Sequence, residues 1–280
     1  MKYTAIEKIN LLANIYAGMF GAIFRFRAWS GFFFIALFQA MGLYALTKFY
    51  LPGLFQILFP VISYFVPGIM MHYPQYYIAL PSIYSTFDNF ILGPTVWVIF
   101  SAYAVYKLEG YYREEKASAG EGIKKAFGAY FPLLMFWALE TGLVLLVIAL
   151  PSKLAAGIVV GSPGRGLAMK FGLQILAFTI SAFLVYTIPA MILGARCLGA
   201  AIRESIGLCC RNFFLTFFLV SIPGVIKVIL DILLSEFSPR IIQFLNPEII
   251  PLALGLQIII GIFINLFIYG AAVFVYREMA

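Results

Sequence analysis

The sequence predicts an all-α, polytopic transmembrane helical bundle with six spans, and three observations predict it. Long uncharged apolar runs alternate with short basic connectors along the 280 residues. Each run is long enough to cross ~30 Å of hydrocarbon as a helix rising ~1.5 Å per residue. The composition is 63% apolar and 11% charged with a mean hydropathy of +0.99, whereas a soluble chain carries about a quarter charged residues.

The elements follow in order. Tyr3 to Phe24 places Ile6, Ile9, Leu12, Tyr16, Met19 and Ile23 at three-to-four-residue intervals opposite Lys8 and Asn14, an amphipathic in-plane helix. Polar residues interrupt its apolar face, so a cleavable signal is not expected. The first span is Trp29 to Phe49. Leu51 to Met71 is apolar but broken by Pro52-Gly53, Pro60 and Pro67-Gly68, and His72 to Phe87 is rich in tyrosine. Residues 51–87 are therefore expected to be re-entrant or interfacial, with aromatic rings at headgroup level. The alternative is a second hairpin of spans there. The second span is Phe90 to Tyr106.

Ser118 to Tyr130 is a second in-plane helix, with Ser118 and Glu121 at capping-box spacing and Gly122, Ala126 and Tyr130 on one stripe. Phe131 to Leu150 is the third span, carrying Glu140, and Phe171 to Leu193 is the fourth. GSPGRG at 161–166 is expected as a tight connector, since Leu167 and Ala168 stand where a phosphate loop needs Lys and then Ser or Thr. Leu198 to Asn212 is the third in-plane helix, striped by Ala201, Ser205 and Leu208. Phe213 to Leu230 and Pro251 to Tyr276 complete the spans. The economical description is one integral membrane domain, 1–280, made of three units of in-plane helix plus hairpin, at about 1–108, 109–194 and 195–280.

Lys and Arg set the orientation. Lys2, Lys8, Arg25, Arg27, Lys107, Arg113, Lys116, Lys124, Lys125, Arg196, Arg203, Arg211 and Arg277 fall on one side, thirteen of the nineteen. That side, with both termini, is expected to be cytoplasmic. The net charge of +7 points to anionic lipid rather than nucleic acid, and Lys124, Lys125, Arg203 and Arg211 are the headgroup candidates.

SAGEGIKKAFGAYFPLLMF at Ser118 to Phe136 and YTIPAMILGARCLGAAIRESIGLCCRNFFLTFFLVSI at Tyr186 to Ile222 resemble a set of bacterial membrane proteins. The set includes the membrane domain on some glycerophosphodiester phosphodiesterases and the YciC-like and YesL-like proteins. The shared pattern falls on Glu121, Ala126, Pro189, Ser205, Asn212 and Phe213. The resemblance covers roughly residues 110 to 276. It implies a fold and a place in the bacterial cytoplasmic (inner) membrane more than an activity.

Catalytic parts are scarce, and no enzyme, metal or cofactor is expected. The single histidine, His72, cannot support a His-based metal cluster or nucleophile. Cys197, Cys209 and Cys210 lack metal or CxxC spacing. Gly157 and Gly161 form a GxxxG pair at the end of a span. The residue that stands out is Glu140, near the bilayer midplane, where a carboxylate needs a partner or a proton. Lys227 is the expected partner, unless Lys227 and Asp231, four apart, pair with each other.

Two function classes follow. The first, preferred on sequence, is a non-catalytic subunit, anchor or scaffold of a membrane complex, with protein partners and lipid-organising basic helices. The second is a small-solute or lipid transporter using Glu140, with Gln39, Gln174 and Asn265 as further intramembrane polar groups.

Overall fold

The computed structural model describes residues 5–48, 51–65, 75–154, 163–244 and 246–279; within them the chain is helical apart from short connectors, with no strand. Among the described residues six helices are long and apolar enough to cross a membrane. The helices are α1 (Ala5–Ile23), α2 (Phe26–Thr47), α3 (Pro52–Phe65), α4 (Gln75–Phe87), a π-helical segment (Asp88–Trp97), α5 (Val98–Tyr112), α6 (Ala119–Gly128) and α7 (Tyr130–Leu154). They continue as α8 (Pro163–Leu184), α9 (Thr187–Ile192), α10 (Leu198–Arg211), α11 (Phe213–Phe244) and α12 (Ile249–Met279). His72, Gly157 and Gly161 lie outside the described residues.

The chief difference from the sequence expectation is at 51–87. Pro52–Phe65 is a helix of 14 residues, about 21 Å and too short to span. Gln75–Phe87 is not an interfacial loop. It runs straight through the π-helical segment into α5, so that Tyr76–Tyr112 forms one 37-residue helix. Tyr76, Leu80, Ile83 and Tyr84 repeat at helical spacing and bury one face against Leu46, Ile250 and Leu254, and the Tyr76 hydroxyl donates to the Leu46 carbonyl at 2.8 Å. Tyr76 and Tyr84, which look interfacial in sequence, are thus packing residues. The wider turn at 88–97 accommodates Pro94, whose ring and missing N–H would break a tighter helix.

GSPGRG also differs. Pro163 opens α8, a position where its absent N–H costs nothing, so Gly164, Arg165 and Gly166 are helical rather than a connector. The fourth span breaks at Val185 and Tyr186 before Pro189. Ser205 of α10 repairs the break, accepting from the Tyr186 N–H at 3.2 Å and donating to the Phe183 carbonyl at 2.7 Å. The Tyr186 and Thr216 hydroxyls share a further bond at 2.8 Å.

Around the bundle α2 packs on α5, α5 on α7, α7 on α8, α8 on α11, α11 on α12, and α12 on α2, closing a ring. Each short amphipathic helix sits on the second span of the hairpin before it in this ring: α1 on α12, α6 on α5, α10 on α8 and α9. Met19 meets Gly270, Gly122 meets Tyr103 and Tyr106, and Ser205 meets Phe183. The stripes expected on α6 and α10 are buried, Gly122 with Ala126 and Ala201 with Ser205 and Leu208. On α1 the buried stripe is Ile15, Met19 and Ala22, while Ile9 is exposed.

Inside the ring, at the end carrying Arg25 and Arg277, α5, α9 and α12 converge. Ala102, Ala104, Ala190, Ala271 and Ala272 are fully buried there. Lipid tails are as apolar as these side chains, so close backbone approach by small residues, rather than escape from water, holds spans together.

The cysteines offer a check on burial. Cys197 and Cys210 are exposed and Cys209 is buried; burial pushes the Cys209 thiol up to about 12. Since the thiolate is the reactive form, maleimide at pH 8 is expected to label Cys197 and Cys210 and to spare Cys209 until the protein is unfolded. Peptide mass mapping reads the outcome.

Candidate functional site

A polar network occupies the inside of the ring. Gln39 lies within about 4 Å of the middle of the 22-residue α2, at 1.5 Å per residue. Its side-chain Nε2 donates to Asp88 Oδ1 at 2.9 Å, and Trp97 Nε1 donates to the same oxygen at 3.2 Å. Asp88 therefore sits at mid-membrane depth, at the start of the π-helical segment. Such wide turns leave backbone groups and side chains out of the usual register and concentrate at functional positions. One turn earlier, the Tyr84 hydroxyl is buried and has no hydrogen-bond partner among the described residues, although Asp88 is near enough for its charge to be felt there.

Glu140 lies near the centre of its 18-residue span, Tyr130–Val147. The Ser181 hydroxyl donates to its carboxylate, and Tyr269 of α12 is within electrostatic reach. α7 and α12 are not neighbours in the ring, so this contact crosses the interior. Tyr269 in turn stacks on Phe32 of α2, 5.7 Å between ring centres. Lys227 is not the partner Glu140 was expected to have. Its charge acts on Asp231, four residues on.

Asp231 accepts a hydrogen bond from Gln257 Nε2 of α12, and Asp88 is close enough for like-charge repulsion with it. Val220, Gly224, Lys227, Asp231, Leu234 and Ser238 recur at three and four residues, forming one stripe of α11. Gly224 on that stripe is covered by Phe178 of α8, and Leu234 is buried with α4 and α12. Lys227 and Asp231 lie between them and are nevertheless exposed. Glu140, Ser181, Tyr269 and Asn265 are partly covered.

No family model, curated protein or solved structure matches this chain.

Among the described residues no group of three His, Cys, Asp or Glu is placed to hold a metal. The headgroup candidates Lys124, Arg203 and Arg211 are exposed, on α6 and α10. Lys125 is drawn elsewhere. It pairs with Glu121 at 3.4 Å and lies 4.7 Å from the Tyr106 ring centre. Hydrogen bonds from Tyr106 and then Lys125 hold the Glu121 carboxyl below its ordinary range.

Sequence reading finds Glu140 and Asp231 and misses Asp88. The signal is present in Gln39 and Asp88 as the polar residues of otherwise apolar stretches. It is masked because prolines and tyrosines make the start of the long helix look like a loop, which puts Asp88 at an interface rather than inside.

Proposed function

We propose that the protein carries a small cationic solute, a proton included, across the membrane along this polar interior. The observation that supports it is that three carboxylates lie within the spans: Asp88 and Glu140 are partly covered between helices, and Asp231 is exposed beside Lys227 and close to Asp88. Intramembrane acids are expensive and generally mark ion or substrate paths. The buried Tyr84 hydroxyl beside Asp88, without a partner among the described residues, supports the same reading, because such a polar group calls for water or a ligand. The convergence of α5, α9 and α12 would close the path at the basic end, and the exposed pair Lys227 and Asp231 would open it toward the other.

The test is flux in proteoliposomes. With the chain reconstituted around an internal pH dye, imposed gradients of protons, sodium or a small organic amine are expected to dissipate faster than in empty vesicles. Asp88→Asn and Glu140→Gln are expected to remove that difference while still inserting. Equal rates with and without protein, for all three cations, would reject the reading.

The subunit or anchor reading keeps one specific observation. Only 11% of the α7 span is buried, against 61% of Phe171–Ile192, leaving Phe131, Met135, Leu139 and Leu146 exposed. A partner span seated on that face would be recovered in stoichiometric amount in mild detergent.

A further inference from the structure

A second feature lies at the basic end of the bundle, and it is independent of Asp88, Glu140 and Asp231. The turn between α1 and α2 reads Phe24, Arg25, Phe26, Arg27. It comes against the end of α5 and the following loop to enclose a cleft of about 740 Å³, lined by Arg25, Arg27, Lys107, Lys116, Glu114 and Glu115. Four cations from three parts of the chain meet two carboxylates, so the cleft keeps a net positive charge.

Two of the cations are held in place. The Arg25 guanidinium carbon is 5.4 Å from the Tyr111 ring centre. Lys107 is half-buried and donates to the Ala117 carbonyl at 2.8 Å, with its ammonium 5.7 Å from the Tyr103 ring centre. Arg27 and Lys107 lie close enough to repel each other. Among the described residues no carboxylate makes an ion pair with Arg25, Arg27 or Lys116. Two neighbouring cations without an ion-pair partner among the described residues are stabilised by an anion between them, and a phosphate offers several acceptor oxygens to a guanidinium and an ammonium together. Phe24 and Phe26 flank the site and are 90% and 54% exposed. Exposed aromatic rings beside the cations offer an acyl chain an apolar surface next to its phosphate.

We infer that this cleft binds an anionic phosphate group through Arg25, Arg27, Lys107 and Lys116. The phosphate is that of a membrane lipid or of a free phosphate compound, and two measurements on the full chain separate these. In native mass spectrometry from detergent containing equimolar phosphatidylglycerol and phosphatidylcholine, the protein is expected to retain the anionic lipid more than five-fold over the neutral one. Arg27→Gln with Lys107→Gln should bring retention to parity, while Arg240→Gln, near the far end of α11, leaves it unchanged. If the occupant is free phosphate, millimolar inorganic phosphate raises the melting temperature above that in chloride of equal ionic strength, and the same double variant abolishes the rise. Should the double variant not fold, the exposed Arg25→Gln is measured in its place and is expected to lower either effect at least two-fold. Absence of both effects in the unsubstituted protein, or their persistence in the cleft variants, would overturn the inference.

Discussion

Gly31→Leu is expected to prevent α2 and α5 from docking, and the protein should fail to elute as a single species from detergent. A Cβ placed on Gly31 comes within 2.6–2.8 Å of the Cβ, Cα and N of Ala104. Two of those atoms belong to the backbone of a buried helix and cannot swing aside, so even Gly31→Ala forces the helices apart. Overpacking a tight interface costs about 1–3 kcal/mol and often more when backbone must move. In a membrane, moreover, loss of close approach removes much of what holds spans together. Gly142→Ala is the matched control: its new methyl meets nothing within 4 Å, and helix propensity alone favours alanine by up to about 1 kcal/mol. The control should melt at or above the parent temperature and Gly31→Ala several degrees below. Equal melting would mean that α2 and α5 are not packed as described.

Asp88→Asn and Glu140→Gln are expected to lower cation flux by at least ten-fold with little change in folding. At Asp88 the asparagine oxygen still accepts from Gln39 and Trp97, the two donors that meet Asp88 Oδ1, and only the charge is lost. Asp88→Ala is different. It strands both donors, at about 1–3 kcal/mol for each group left unsatisfied, and should lower stability as well as flux. Glutamine at 140 can still accept from Ser181 and avoids burying a charge. A neutral variant that transports normally would reduce the carboxylate to a packing role.

How much of this was legible follows physical lines. The six spans come from hydropathy alone, because a helix that faces lipid must be apolar over ~30 Å. The buried faces of α6 and α10 come from spacing, since Gly122, Ala126, Ala201 and Ser205 recur at helical intervals. The partner of Glu140 does not. Depth counting brings Lys227 near the right level, but depth says nothing about rotation around the ring, and the side chain that meets Glu140 is Ser181 on the next helix. Asp88 was hidden by a local signal that tertiary packing overrides: Pro81 and Pro94 look like helix breakers, yet a wider turn and neighbouring helices carry both within one continuous span. The basic cleft could not be foreseen either. Its residues come from the α1–α2 turn, α5 and the loop after it, and in sequence each is one more positive charge at a helix end.

The central claim is that the interior is a water-lined path rather than a sealed packing network, and substituted-cysteine accessibility in intact membranes tests it most directly. With Cys197, Cys209 and Cys210 replaced by alanine, Ser181→Cys faces the interior, whereas Ile175→Cys and Leu176→Cys lie on the same helix at side chains 55% and 52% exposed to the surroundings. Charged methanethiosulfonates react with thiolates, which form in water and not in hydrocarbon. Ser181→Cys is expected to be modified within minutes and to be protected by a transported cation, while Ile175→Cys and Leu176→Cys stay unmodified. A Ser181→Cys protein that folds and stays as unreactive as the lipid-facing pair would contradict the path.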